Sequence, residues 1–215
     1  MHILIFANGE IGSLDAAWKL VASTDLIVCA NGGSRHACAL GLCPHVVIGD
    51  LDSLPTGMRA ALEASGTRFI AYSRAKDETD LELALLYAVD QGATQITVLG
   101  ARGGRMDHEL GNVLLLAHPR LEGLQVRLLT DNQEASLVRG EAVFKGTPGD
   151  LLSLLPIGGD ARGITTQGLA YPLDDEQLFF GPARGVSNVF TASEACVRLG
   201  SGVLLAIHTR CSSSG

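Results

Sequence analysis

Positive charge is scarce in this 215-residue sequence, where 16 Lys and Arg stand against 23 Asp and Glu for a formal net charge of −7. A groove for DNA or RNA needs a clustered basic face, so a nucleic-acid partner is excluded on this balance. No apolar run approaches the ~20 residues that a helical membrane span requires. The first residues, Met1-His2-Ile3-Leu4-Ile5-Phe6, carry neither a basic leader nor a cleavage site and read as a buried strand rather than a secretory signal. Five cysteines, an odd number, include no Cys-x-x-Cys spacing. That argues against a disulfide framework or a four-cysteine zinc site and fits a reducing cytoplasm. Gly-x-Gly-x-x-Gly and Gly-x-x-x-x-Gly-Lys-Ser/Thr are both missing, so dinucleotide-dehydrogenase and Walker-type readings fall away. What is left, 47% apolar and 18% charged residues, can bury a substantial core, which excludes wholesale disorder.

Two rhythms divide the chain at about residue 130. Before it, short apolar runs at residues 2–7, 25–30, 44–48, 68–71, 95–99 and 126–129 are apolar through consecutive positions, as parallel strands covered on both faces should be. Helical patterns lie between them, near 13–22, 33–40, 56–64, 79–91 and 107–117. The fourth places Leu81, Ala84, Leu85 and Ala88 on one face behind a capping-box start, Thr79-Asp80-Leu81-Glu82. Strand–helix alternation of this kind predicts an α/β fold with a doubly wound, Rossmann-like parallel sheet over residues 1–130. From 131 to 215 the helical period fades into short segments punctuated by Gly, Pro and Asp, which predicts a small antiparallel β-sandwich. Residues 195–199 and 203–207 flank Gly200-Ser201-Gly202 and read as a hairpin.

Open parallel sheets bind ligands outside the carboxyl ends of their strands. Five such ends here carry Asn8-Gly9, Asn31-Gly32-Gly33, Gly49-Asp50-Leu51-Asp52-Ser53, Lys76-Asp77-Glu78-Thr79-Asp80, and Gly100-Ala101-Arg102-Gly103-Gly104-Arg105-Met106-Asp107-His108. Asp50 and Asp52 are two apart, so in extended chain their carboxylates point the same way and call for a cation between them. Mg²⁺ takes oxygen ligands of this kind together with phosphates and water. The competing reading makes Asp50 a turn cap and Asp52 a loop acid. Asp80, in the first turn of the next helix, favours that helix's dipole in any case, but three acids on one edge favour a metal. Lys76 and Arg105 supply positive charge for phosphates, and Gly103-Gly104 lets backbone N–H groups approach closely. Arg102, Asp107 and His108 stay open between site and scaffold, since Asp107 also suits a helix cap and His108 a local backbone bond. The residues alone thus describe a Mg-nucleotide or polyphosphate site on a non-Walker α/β fold.

Gly49-Asp50-Leu51-Asp52-Ser53, Lys76-Asp77-Glu78-Thr79-Asp80-Leu81-Glu82 and Gly104-Arg105-Met106-Asp107-His108-Glu109-Leu110-Gly111-Asn112 resemble, in that order, the motifs of the thiamine pyrophosphokinase family. Thr166-Gln167-Gly168-Leu169-Ala170-Tyr171-Pro172-Leu173 and Gly185-Val186-Ser187-Asn188 resemble its C-terminal signatures. The resemblance implies transfer of a diphosphate from ATP to the hydroxyl of thiamine with release of AMP. It also implies a homodimer with active sites at the subunit interface. By it, Asp50, Asp52 and Asp80 would hold Mg²⁺. Asn31, Gly32, Ser53, Lys76, Thr79, Arg105, Asp107, His108 and Asn112 would surround the nucleotide, with Thr130-Asp131-Asn132 a weaker candidate. Ser187 and Asn188 would approach thiamine. The sequence departs from the family in reading Ser187-Asn188-Val189 where Ser-Asn-Glu is usual. Its single tryptophan, Trp18, lies in the first domain, which leaves Tyr171 or Phe190 as an aromatic partner for the thiamine ring, or none, with Phe190 equally suited to the sandwich core. That departure leaves room for a pterin- or pyrimidine-type alcohol as acceptor; a nucleotide- or thiamine-binding protein without turnover is a separate reading, against which the Asp50, Asp52 and Asp80 set argues.

Overall fold

The computed structural model describes residues 1–51, 54 and 56–211, with the side chains of 14–16 and 56 outside the description. Two compact units emerge, Met1–Asp131 and Asn132–Gly215.

The first unit is built on six strands, β1 (His2–Phe6), β2 (Leu26–Ala30), β3 (Val46–Gly49), β4 (Arg68–Ala71), β5 (Gln95–Leu99) and β6 (Gln125–Leu129). All pair in parallel, in the order β6-β5-β1-β2-β3-β4. β1 is central, and Ile3, Leu4, Ile5 and Phe6 are fully buried. An unbroken apolar run is what a strand sandwiched between helix layers requires. Helices α1 (Leu14–Val21), α2 (Ser34–Ala39) and α3 (Thr56–Ala64) contribute Ala17, Ala37 and Leu62 to a core that includes Leu4, Phe6, Cys29 and Val47. Helix α4 (Asp80–Asp90) packs against β1, β2 and β3 and buries Leu81, Ala84, Leu85 and Ala88, the stripe its periodicity predicts. Thr79 caps it, its hydroxyl accepting from the Glu82 N–H at 3.1 Å. Helix α5 (Met106–Leu115) is the exception, with no buried residue.

The second unit holds two antiparallel sheets. One orders β12 (Asn188–Val189), β9 (Leu151–Pro156), β14 (Leu204–Thr209) and β7 (Gln133–Val138). The other orders β11 (Glu176–Leu178), β10 (Ala161–Gln167), β13 (Glu194–Arg198) and β8 (Glu141–Lys145). Alternate residues of both, among them Leu152, Leu154, Ile164, Val197 and Leu204, meet in a single core, the sandwich the sequence predicts. The expected hairpin across Gly200-Ser201-Gly202 does not form. β13 pairs with β10 and β8, whereas β14 pairs with β7 and β9. The glycine-flanked turn carries the chain from one sheet to the other, held midway by a bridge between Ser201 and Arg162. Two stacked inward faces and two halves of a hairpin show the same apolar alternation, which is why the pattern misleads.

Candidate active site

Strand order reverses around β1 in the first unit: the chain runs outward through β2, β3 and β4, then returns to place β5 on the other flank. At that switch point the loops after adjacent strands part and leave a crevice. A cavity of about 440 Å³ opens there, walled by Ala7, Asn8 and Gly9 after β1 and by Gly100, Ala101 and Gly103 after β5. The loops after β1 and β5 are joined by backbone hydrogen bonds, with the Gly9 N–H donating to the Gly100 carbonyl at 2.7 Å. A Cβ at Gly9 would fall 2.0 Å from the Arg102 carbonyl oxygen, so only glycine fits.

Asn31, Asp50, Lys76, Thr79, Asp80, Arg105, His108 and Asn112, all expected on sequence grounds, line this one cavity. Asp50 leaves β3 through a strained reversal. Gly49 takes φ +153° and Leu51 φ +61°, a left-handed conformation that leucine rarely adopts. The reversal buries Leu51 in the core while Asp50 lines the cavity. Asp80 enters from the first residue of α4, where the helix dipole favours its charge. The Asn31 amide joins the two, donating to Asp50 Oδ1 at 2.7 Å and to Asp80 Oδ2 at 3.0 Å.

Cations sit against both acids. Lys76 is paired with Asp80, four residues on, and its ammonium lies 5.7 Å from the centre of the Tyr72 ring. Arg74, which sequence reasoning missed, approaches Asp50 at 3.6 Å and lines the same cavity. No motif marks it, and only its place on the loop after β4 could have suggested it. Arg105 is engaged with Asp107 through two contacts, Nε–Oδ1 at 3.1 Å and Nη2–Oδ2 at 2.5 Å. That hydrogen bonding holds the exposed Asp107 carboxyl below the usual carboxylate range. Asp107 also accepts from the N–H of His108, as a residue in the first turn of α5 can. Asn112 donates to the Ala101 carbonyl at 2.7 Å, and Glu109, a further residue missed by sequence, accepts from the Gly103 N–H at 2.6 Å. These two side chains shape the glycine loop from the α5 side.

Other expectations land differently. Gly32 is buried in the turn after β2, where a Cβ would meet the Asn8 side chain at 2.4 Å, so a larger residue there would displace Asn8. Asp131 accepts from the Ser13 N–H at 2.7 Å and ties down the segment before α1. Asp52 and Ser53 lie outside the described residues. Among the described residues no group of three His, Cys, Asp or Glu side chains gathers as a ligand set. Asp50 and Asp80 nonetheless offer hard oxygen donors held against one amide nitrogen, beside cations suited to phosphate, and that chemistry fits Mg²⁺ with a nucleotide tail.

Ser187 and Asn188 belong to the second unit. Ser187 takes φ +60°, and its N–H donates to Ser153 Oγ at 3.0 Å. Asn188 grips the backbone of Tyr171, accepting from its N–H at 3.0 Å and donating to its carbonyl at 2.6 Å. Tyr171 and Asn188 line a cavity of about 150 Å³ with Val186, Arg184 and Leu154. Tyr171 is 71% exposed there, whereas Phe190 is 1% exposed, packed in the sandwich core with its ring 5.0 Å from that of His208. Phe190 is thereby removed as a ring-stacking candidate.

Both halves of the chain resemble known proteins. A family model described as the catalytic domain of thiamin pyrophosphokinase matches residues 17–128, and one described as its vitamin B1 binding domain matches residues 141–204. Thiamine pyrophosphokinase of Bacillus subtilis is 29% identical over 79% of this chain and 80% of its own length. Thiamine pyrophosphokinase 1 of Arabidopsis thaliana is 31% identical over 78% of this chain and 66% of its own. The crystal structure of the Bacillus subtilis protein superposes with a TM-score of 0.85 at 26% identity, over 98% of this chain and 100% of that one. The Candida albicans enzyme shares the fold at 17% identity with a TM-score of 0.80, over 97% of this chain and 90% of that one. With both domains matched in order along one chain, this protein belongs to the thiamine pyrophosphokinase family.

Proposed function

We infer that this chain is an ATP:thiamine diphosphotransferase, and that the first unit binds ATP with Mg²⁺ while the second receives thiamine and takes part in dimerisation. The observation that carries the reading is the amide-linked pair Asp50 and Asp80, flanked by Lys76 and Arg74, in a cavity at the switch point of a parallel sheet. In the reaction the thiamine hydroxyl oxygen bonds to the β-phosphorus, the bridge between the α- and β-phosphoryl groups breaks, and its oxygen leaves on AMP while the hydroxyl proton is lost. Mg²⁺, when bound, supplies charge neutralisation to the phosphate oxygens. Asp50, Asp52 and Asp80 would hold it. Lys76, Arg74 and Arg105 would meet the phosphates, beside the glycine loop that Glu109 and Asn112 shape. Such a transfer rests on positioning and on charge stabilisation, with little demand for a strong base. Asp107, already held by Arg105, would orient rather than abstract.

In the second unit, Tyr171 would stack on the cationic thiazolium, an aromatic face being attractive to a desolvated cation. Pairing of two chains, with each site drawing on both, is supported by exposed apolar surface. On α5, Met106, Leu110 and Leu114 recur every four residues and are 74%, 56% and 58% exposed. In the second unit Phe179 and Phe180 are likewise exposed. A cytoplasmic setting is supported by the free thiols of all five cysteines, and no described helix is long and apolar enough to cross a membrane. The test offers the purified protein ATP, Mg²⁺ and a panel of alcohols and follows AMP. Release with thiamine supports the reading, release with a pterin but none with thiamine overturns the acceptor, and tight binding without AMP overturns the transfer.

A further inference from the structure

Asn31 stands where the family resemblance puts a nucleotide contact, yet its amide is turned onto protein. Nδ2 carries two hydrogens, and its bonds to Asp50 Oδ1 at 2.7 Å and Asp80 Oδ2 at 3.0 Å use both. The backbone is held to suit. Asn31 has φ +44°, a left-handed conformation that asparagine tolerates better than most residues. Its side chain is admitted only because residue 49 is glycine, since a Cβ there would lie 2.7 Å from Asn31 Cβ and 3.1 Å from Asp80 Cγ. Its carbonyl accepts from Ser34 Oγ at 3.1 Å, which pins the turn, and the residue is 8% exposed. Two carboxylates brought this close repel, and each is only partly open to water, with side-chain exposures of 22% for Asp50 and 29% for Asp80. A neutral group with two donors is the one side chain that holds both without cancelling the negative charge a cation needs.

We propose that Asn31 is a positioning residue whose amide sets the spacing and orientation of the Asp50 and Asp80 carboxylates for a divalent cation, and that it does not contact the nucleotide. The inference rests on the metal reading of these two acids given above. Groups that orient metal ligands are worth about 10–100-fold in affinity when removed.

Two variants of the full chain separate the roles. Asn31→Gly removes the amide and keeps the positive φ without strain. Asn31→Asp keeps the shape, replaces both donors with acceptors and adds a third negative charge. Mn²⁺ binding without nucleotide is read by electron paramagnetic resonance, and thermal unfolding is read in EDTA and in MgCl₂. Asn31→Gly is expected to bind Mn²⁺ about 10–100-fold more weakly, with the KM for ATP at saturating Mg²⁺ within about twofold of wild type. Asn31→Asp is expected to melt about 4 °C or more below wild type in EDTA and to regain most of that in MgCl₂. Wild-type Mn²⁺ affinity in Asn31→Gly with a raised KM for ATP overturns the proposal and makes Asn31 a nucleotide contact. An Asn31→Asp protein as stable as wild type in EDTA overturns it as well. A wild-type protein that takes up no Mn²⁺ overturns the metal reading and this proposal together. A wild-type protein that binds Mn²⁺ but releases no AMP overturns diphosphate transfer alone.

Discussion

Asp150 closes the most heavily bonded buried polar cluster of the sandwich, and removing it tests how that unit is held. Its Oδ2 accepts from the Thr147 N–H at 2.9 Å and from His208 Nε2 at 3.1 Å, and its Oδ1 accepts from the Cys211 N–H at 2.9 Å. Asp150 is 5% exposed and His208 4%. Asp150→Ala strands a buried imidazole donor, while the N–H groups of exposed Thr147 and Cys211 can turn to water. One buried unsatisfied donor costs about 1–3 kcal/mol, and a loss of about that size is expected. Asp150→Asn presents one acceptor and one NH₂ group, satisfying one oxygen's partners and turning a donor on the other's, for about 1–2 kcal/mol. Burial works to raise the Asp150 carboxyl, but the Thr147 and Cys211 N–H groups and the His208 ring outweigh it and hold the acid below the usual range. A depressed folded-state value means that this stabilisation is complete above the unfolded value of about 3.9 and is lost as pH falls through the lower folded value. The gap between wild type and Asp150→Asn should therefore not close between pH 7 and about pH 5, and should narrow below about pH 4. Urea titration read by amide exchange in β9 and β14 measures it. A gap that closes between pH 7 and 5, or an Asp150→Ala protein within about 0.5 kcal/mol of wild type, would refute the reasoning.

Other expectations follow from single contacts. Thr79→Val should lose the N-cap of α4, about 1 kcal/mol in chemical denaturation, with Thr79→Ser restoring it. Lys76→Met should lower kcat by about 10²-fold or more while the melting temperature moves little; an unchanged kcat would remove Lys76 from the phosphates. Tyr171→Ala should raise the KM for thiamine about tenfold, a loss of cation–π attraction in the range of a desolvated site, and Tyr171→Phe should not. Leu110→Glu, on the exposed α5 stripe, should convert a dimer to monomers in light scattering.

Where burial follows one period, the sequence was legible. Leu81, Ala84, Leu85 and Ala88 announce α4 because a helix on a sheet must bury one stripe, and β1 announces itself because a central strand has no wet face. The crossover between β13 and β14 was hidden, since alternation records which face is apolar and not which sheet it faces. At the site, Asp50, Lys76 and Asp80 were visible as charges on consecutive strand ends. Arg74 was not, because a lone loop arginine has no pattern, and its meaning comes only from Asp50 at 3.6 Å. Asn31 was visible as a residue but not in its orientation, which depends on a left-handed turn and on the space beside Gly49. Tyr171 and Phe190 were interchangeable in sequence and are separated by burial alone.

The most direct test of the account is ³¹P NMR of the purified protein with ATP, Mg²⁺ and thiamine, following every phosphorus species with time. Thiamine diphosphate and AMP should rise together in equal amounts, with neither ADP nor thiamine monophosphate as an intermediate, and Asp80→Asn should abolish both while the protein stays folded. ADP with thiamine monophosphate, AMP that forms without thiamine, or full turnover in Asp80→Asn would contradict it.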